Sequence, residues 1–315
     1  MILSLNGKWK YRVDPVNVGT KESWWESKWL SDHYTSLKEI TLPNNWNTIP
    51  ELEKYEGIVW FFHSFDLKEN ENYLNDSDIF LRFKAVNYET RLWVNEVYHG
   101  VHEGNFLPFK FKIKPESINN KERNYIVVRI ENFRKKNRIP APSRDWFNYG
   151  GIYRDIDLLI IEQYRINWVG IISKIQKGGD ASINVHIELN VPKQHKKSSE
   201  TKNHEIKWDL YYLGDLSSKN RKKRTQNDPI LIKYGVFTSL YNNRKENFSI
   251  QVEEAQIWSP NNPRLYKIEL SLTESRHTYI TRFGIREIKV HGSKLLFNSR
   301  SLSLQGVSLH EELVP

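Results

Sequence analysis

Short runs that alternate between apolar and polar residues cover most of the chain. Phe109-Lys110-Phe111-Lys112-Ile113-Lys114 alternates strictly, and residues 79–86, 90–94 and 125–130 alternate more loosely. A period of two, built from β-branched and aromatic residues, predicts half-buried antiparallel strands. The runs are short and are broken by Asn-Asp, Gly and Pro turns. No long segment keeps an apolar stripe at i, i+3, i+4 and i+7; residues 24–30 are the best helix candidate. Many short strands spaced by turns predict an all-β chain of sandwiches.

Two sandwiches fit the pattern better than one. The first set of strands runs from Leu5 to about Ile161. A second set of seven follows at residues 166–175, 181–191, 206–213, 230–234, 247–251, 266–272 and 278–283, the number and spacing of an immunoglobulin-like sandwich. Residues 192–203 and 214–229 fall between strands of this second set and read as exposed hairpin loops. Near the end of the chain, residues 292–300 read as one more hairpin.

Composition narrows the chemistry. The chain has 315 residues, which suggests about two domains. It has no cysteine, so it has no disulfide frame, cysteine metal cluster or thiol nucleophile. Aromatics make up 13%, including eleven tryptophans, which excludes a disordered chain. No apolar run approaches the roughly 20 residues of a membrane helix, and the first residues lack the basic start and apolar core of a signal peptide. The expected location is cytoplasmic.

The net charge of +9 invites a polyanion reading through Arg134-Lys135-Lys136, Lys196-Lys197 and Arg221–Arg224. These runs lie in presumed loops of different domains, without interleaved aromatics, and read better as solvated loops. No nucleic-acid or membrane partner is expected. His99 and His102, with Glu103 beside them, have a ligand-like spacing but no evident third partner, so no metal is expected. There is no phosphate-cradling glycine motif and no Gly-x-Ser-x-Gly, and no cofactor is expected.

Asp145-Trp146-Phe147-Asn148-Tyr149-Gly150-Gly151 stands apart. A carboxylate can accept hydrogen bonds from adjacent sugar hydroxyls, aromatic faces can cover a pyranose ring, and glycines allow a sharp turn beside a ligand. The same residues could equally be a surface loop whose aromatics pack on the sandwich edge. The residues alone leave both readings open.

This segment resembles the signature of glycoside hydrolase family 2, which includes β-galactosidases, β-mannosidases and β-glucuronidases, and it is one of an ordered set. Leu5-Asn6-Gly7-Lys8-Trp9 resembles the family's opening strand. Leu42-Pro43-Asn44-Asn45-Trp46-Asn47 resembles its Pro-x-x-Trp-Asn turn. Tyr55-Glu56-Gly57-Ile58-Val59-Trp60-Phe61 resembles its Tyr-x-Gly-x-x-Trp-Tyr strand. Trp93-Val94-Asn95-Glu96 and Gly100-Val101-His102-Glu103-Gly104-Asn105-Phe106-Leu107-Pro108-Phe109 resemble the following block. Trp258-Ser259-Pro260, Asn262-Pro263-Arg264-Leu265-Tyr266 and Phe283-Gly284-Ile285-Arg286 resemble the second domain. Glu96 and Asn105 stand where the family has glycines, so the hairpin at Asn95-Glu96 is expected to be altered. Trp24-Trp25-Glu26-Ser27 and the Asp145 segment look most like β-glucuronidases.

The resemblance implies a jelly-roll sugar-binding domain over 1–163, an immunoglobulin-like sandwich over 164–289, and only the start of a (β/α)8 catalytic barrel over 290–315. It implies that Asp145 reaches into the sugar pocket. It also implies that His310, in Gly306-Val307-Ser308-Leu309-His310-Glu311, lines that pocket at the end of a first barrel strand over 302–309. Retaining glycosidases need two carboxylates about 5–5.5 Å apart, which the family takes from later barrel strands. No catalytic residue is therefore assigned. The expected protein is the non-catalytic N-terminal portion of a retaining β-glycosidase, whose carbohydrate pocket is completed by a barrel-bearing partner chain. A stand-alone carbohydrate-binding module, a remnant of an interrupted gene, and a polyanion binder are the alternatives.

Overall fold

In the computed structural model the described residues are 1–67, 76–119, 122–192, 203–215, 229–240, 243–273, 275 and 277–308. They form two compact units, one on Met1–Ile161 and one on Glu162–Ser308. Lys196-Lys197, Arg221–Arg224 and His310 lie outside the described residues.

The first unit is a jelly-roll-type sandwich. One sheet orders six strands as Lys38–Leu42, Gly7–Val13, Ile58–Phe65, Asn124–Glu131, Glu89–Val94 and Val97–Glu103. The facing sheet orders four as Ile2–Ser4, Ile156–Glu162, Ser77–Phe83 and Phe109–Ile113. Between them lies an apolar core that includes Trp9, Phe61, Leu81, Phe83, Leu92, Ile113 and Val128. Phe109–Ile113 keeps the strict alternation of its sequence, with Phe111 and Ile113 buried and Lys110 and Lys112 exposed.

The central strand Ile58–Phe65 behaves differently. Ile58-Val59-Trp60-Phe61-Phe62 is buried at every position. Val59 and Phe61 face the sandwich core, whereas Ile58, Trp60 and Phe62 belong to a second core with Trp24, Trp29, Leu30, Leu37 and Trp93. The helix Ser27–His33 and the turn before it supply that second layer. The helix read over 24–30 is thus present, shifted toward its C-terminal side. Trp24 stacks on Trp29 with ring centroids 5.0 Å apart, and Trp25 stacks on Trp93 at 4.8 Å. Buried Asp14 ties the layers together by accepting from Trp60 Nε1 at 2.9 Å and from the Val18 and Gly19 amides at 2.7 and 2.9 Å.

The hairpin at Asn95-Glu96 is not altered by losing the glycine. Both residues take the left-handed conformation of a tight hairpin turn, with φ of 45° and 70°. The side chain compensates for the conformational cost: the Glu96 carboxylate accepts from the Ser27 amide at 2.6 Å, at the start of the helix.

The second unit pairs Arg165–Ile175, Ala181–Asn190 and Lys245–Val252 against Ile230–Leu240, Asn203–Asp215, Arg264–Leu272 and Thr278–Phe283. This seven-stranded division is immunoglobulin-like. Its central strands are one-sided. Ala181, Ile183, Val185, Ile187 and Leu189 are buried, while His186 between them is exposed. A small three-stranded sheet follows at Ile288–His291, Lys294–Phe297 and Arg300–Ser301, which includes the hairpin read over 292–300. Residues 302–308 carry no strand, which corrects the expected barrel strand over 302–309 within the described part. A parallel barrel strand is held by ladders to its neighbours, and no such neighbour occurs among the described residues.

Candidate functional site

Residues 132–150 form neither helix nor strand, so this loop depends on side chains for its shape. Two asparagines close its base. Asn132 Nδ2 donates to the Asn148 carbonyl at 3.2 Å, and Asn148 Nδ2 donates to the Asn132 carbonyl at 2.6 Å. Asn132 Oδ1 also accepts from the Gly57 amide at 2.7 Å. Beyond the loop, Gly150 donates to Asn47 Oδ1, and its carbonyl accepts from the Trp46 amide, each at 2.9 Å. A Cβ at position 150 would lie 2.0 Å from the Trp46 ring, so only glycine fits.

Arg134 and Arg138 hold the middle of the loop. The reading of Arg134-Lys135-Lys136 as a solvated run holds for the two exposed lysines and is corrected for Arg134. Arg134 Nη1 and Nη2 donate to the carbonyls of Arg144 and Trp146 at 3.1 and 2.7 Å, while Nε pairs with Glu56 at 2.7 Å. These are the residues on either side of Asp145, so the guanidinium clamps the backbone that carries this carboxylate. Lys135 pairs with Glu131 at 2.8 Å. Arg138 has a side chain only 1% exposed and bonds Glu89, Glu103 and Glu131 at 3.1, 3.0 and 3.1 Å. Burial pushes the Glu131 carboxyl up, but hydrogen bonds and charge from Lys135 and Arg129 outweigh it, and its pKa lies below the ordinary glutamate value. His102 stacks on Phe109 with ring centroids 3.7 Å apart, and Glu103 pairs with Arg138, so both serve the strand block.

Asp145 is exposed, next to exposed Arg144 and Trp146. A depression of about 470 Å³ is lined by Trp146, Arg144 and Lys136, with buried Arg138 and Pro140 at its base. Asp145 is not among its lining residues, and His310 lies outside the described residues, so the two expected pocket residues are not seen together.

A separate cavity of about 250 Å³ opens on the other side of Pro140. Its apolar walls are Phe106, Phe147 and Tyr149, and its polar lining is Asn45, Asn87, Asn105 and Tyr153. Asn45 and Asn87 both pair across Gly151 in the three-stranded sheet of Asn44–Asn45, Gly151–Ile152 and Val86–Asn87. Gly151 has φ of +123°, and a Cβ there would meet the Asn44 carbonyl oxygen at 3.0 Å, which explains the second glycine of the motif. Asn87 Nδ2 donates to Asn148 Oδ1 at 2.9 Å and to the Tyr149 carbonyl. Asn87 Oδ1, Asn45 Oδ1 and the Tyr153 hydroxyl are buried without a protein hydrogen-bond partner. Burial pushes the Tyr153 phenol up to about 12.

Sequence reading drew attention to the aromatics of this cavity but missed its polar groups. Asn45 sits inside a recognisable motif without appearing special, Tyr153 lies just past the Asp145 segment, and Asn105 shows only as a departure from glycine. Nothing in the sequence around Asn87 marks it.

Comparison with known proteins bears on the whole chain. Residues 2–161 match the model of the sugar binding domain of glycosyl hydrolases family 2, and residues 164–286 match a second model of that family. A β-glucuronidase of Paenibacillus borealis is 23% identical over 99% of this chain and 50% of its own length. A β-galactosidase of Thermoanaerobacterium thermosulfurigenes is 23% identical over 98% of this chain and 40% of its own. The solved β-glucuronidase of Lactobacillus rhamnosus superposes with a TM-score of 0.76 at 23% identity, covering 98% of this chain and 48% of that one. The chain therefore spans about half the length of the relatives it matches, or less.

Proposed function

The chain belongs to glycosyl hydrolases family 2, and on that premise we propose that it is the non-catalytic N-terminal portion of a retaining β-glycosidase, with β-glucuronides as the substrate class. Its sugar-binding domain runs to 163 and its immunoglobulin-like domain to 289. Asp145 holds sugar hydroxyls, and His310 lines the same pocket. The two catalytic carboxylates come from a catalytic barrel and not from these residues. Its expected place of work is the cytoplasm. Among the described residues no helix is long and apolar enough to cross a membrane.

The observation that carries this reading is the clamp on Asp145. An exposed aspartate on an irregular loop would ordinarily wander. Here one guanidinium binds the carbonyls on both sides of it and is itself anchored to Glu56. Fixing a carboxylate in an exposed position suits a group that must meet a ligand presented from outside. A carboxylate repels a uronate unless it faces other hydroxyls, so selection of an acidic sugar falls to basic barrel residues; Arg144 and Lys136 on the same loop temper the repulsion.

The test is reconstitution. The 315-residue chain alone should not hydrolyse aryl β-glucuronides or β-galactosides above a blank, and adding a family 2 barrel chain should produce activity. In the reconstituted enzyme, Asp145→Ala should lower kcat/KM about 10- to 100-fold, the loss of hydrogen bonds to a charged acceptor. Arg134→Lys, which keeps the charge but loses the fork, should produce a smaller loss in the same direction. Activity in the isolated chain, or an Asp145→Ala enzyme as active as the parent, would refute the reading.

A further inference from the structure

We propose that the outward face of the sheet Arg165–Ile175, Ala181–Asn190 and Lys245–Val252 binds a neutral glycan chain, with Trp168 as its stacking platform. The site lies wholly in the second unit and does not depend on the role proposed for Asp145. Alternation sends Val169 and Ile187 into the core and leaves Trp168, Gly170 and Ile172 on the outer side. A Cβ on Gly170 would lie 2.2 Å from the Trp168 ring, so the indole lies down on its own strand over this glycine. Four other tryptophans crowd a glycine in this way: Trp24 at Gly19, Trp46 at Gly150, Trp208 at Gly235 and Trp258 at Gly284. Those are buried or half-buried, whereas Trp168 is 49% exposed. One face of its ring is seated on backbone and the other is left to solvent.

The neighbouring strands supply hydrogen bonds without charge. Gly170 pairs with His186 and His186 with Asn247, and the next outward row is Ile172, Asn184 and Ser249. Ser249 Oγ donates to Asn184 Oδ1 at 2.7 Å, which fixes that amide and leaves its Nδ2 as a directed donor. His186 and Asn247 are exposed, and each can donate and accept. Neither row holds an Asp, Glu, Lys or Arg. In the row of Trp168 itself, Glu188 and Lys245 pair with each other at 3.3 Å. An aromatic face covers the C–H side of a pyranose while amides and imidazole take its hydroxyls. A protein-binding patch concentrates apolar residues at its centre, but in these rows only Trp168 and Ile172 are apolar and exposed, and Gly170 parts them. They lie about 13 Å apart along the strand, more than one sugar ring spans, so the face suits a chain of rings.

Calorimetry on the full 315-residue chain tests the site, with neutral gluco-, xylo-, manno- and galacto-oligosaccharides as probes and oligogalacturonate as the charged control. At least one neutral oligosaccharide should saturate in the millimolar range or tighter, and bind more tightly than its own monosaccharide and than the charged control. Trp168→Ala should weaken it about tenfold with Tm unchanged, because the ring is exposed. Gly170→Val keeps the indole but lifts it off its seat, and should weaken binding about fivefold without lowering Tm. His186→Ala should weaken it less, and Asp145→Ala should not weaken it. The proposal fails if no neutral oligosaccharide saturates, if the charged control binds as tightly, or if Trp168→Ala binds like the parent. A Trp168→Ala effect confined to self-association in sedimentation velocity would assign the face to a second protein chain and equally overturn it.

Discussion

The strand Ile58–Phe65 of the first unit and the strand Ala181–Asn190 of the second occupy similar places, each flanked by two neighbours in its sheet. In the first, successive side chains enter two different cores; in the second, they alternate between one core and solvent. The first unit can bury both faces because tryptophans outside the sandwich build an extra layer over its sheet. The second unit relies on the regular ladder alone. Period two is therefore legible in Ala181–Asn190 and hidden in Ile58–Phe65, where both phases of the alternation are apolar.

This contrast predicts how each strand responds to truncation. Trp60→Ala should cost about 3–5 kcal/mol, because Trp60 is fully buried in the outer core and its indole is the donor to Asp14. His186→Ala, also directed away from its sandwich core, should stay within about 0.5 kcal/mol. Denaturation followed by tryptophan fluorescence reports mainly on the first unit, which holds eight of the eleven indoles; circular dichroism covers both. Equal shifts for the two variants would break the comparison.

A second difference is electrostatic. The Arg138 cluster is buried in the first unit, and Arg138→Ala would leave Arg129 as the one buried cation shared by Glu89 and Glu131, at a cost of about 2 kcal/mol. The pH dependence has a definite sign. The Glu131 pKa is depressed, so its contribution is complete above the ordinary glutamate value of 4.5 and is lost as pH falls below it. Thermal melts between pH 3 and pH 7 should show that loss, and Glu131→Gln should flatten it. A parent and variant with parallel pH profiles would show that Glu131 does not carry the effect.

The smallest expected change in stability concerns the edge strand Ile230–Leu240 of the second unit. Ile230, Leu231, Ile232, Tyr234 and Val236 are exposed on it, with Tyr234 at 74%. A long apolar edge strand is a template for pairing with another chain. Tyr234→Lys places a cation opposite Asp209 in the register, so Tm should stay nearly constant while self-association in sedimentation velocity falls. Self-association unchanged by Tyr234→Lys would place the sticky surface elsewhere.

Much of the fold was legible in the residues themselves. Strict alternation at Phe109–Ile113 and the one-sided strands Ala181–Asn190 and Arg264–Leu272 of the second unit follow from pattern alone, since a one-residue slip would expose every apolar side chain. The Gly150-Gly151 turn was also legible, and its reason is steric: the Trp46 ring at one position and the Asn44 carbonyl at the other. The Asp145 loop was picked out by its residue types. Its clamp was not, because Arg134 looks like any other member of a basic run until Arg144 and Trp146 return to it. The strand register that sets Asn45 and Asn87 on either side of Gly151 was equally hidden. These partners are separated by 42 residues or more along the chain in number, and only the folded sheet brings them together. Local pattern determined which residues form strands and which face is apolar, because those depend on neighbours one or two positions away. Tertiary structure alone decided which polar groups end without partners and which cation holds Asp145, because burial and hydrogen bonding are settled by residues distant in sequence.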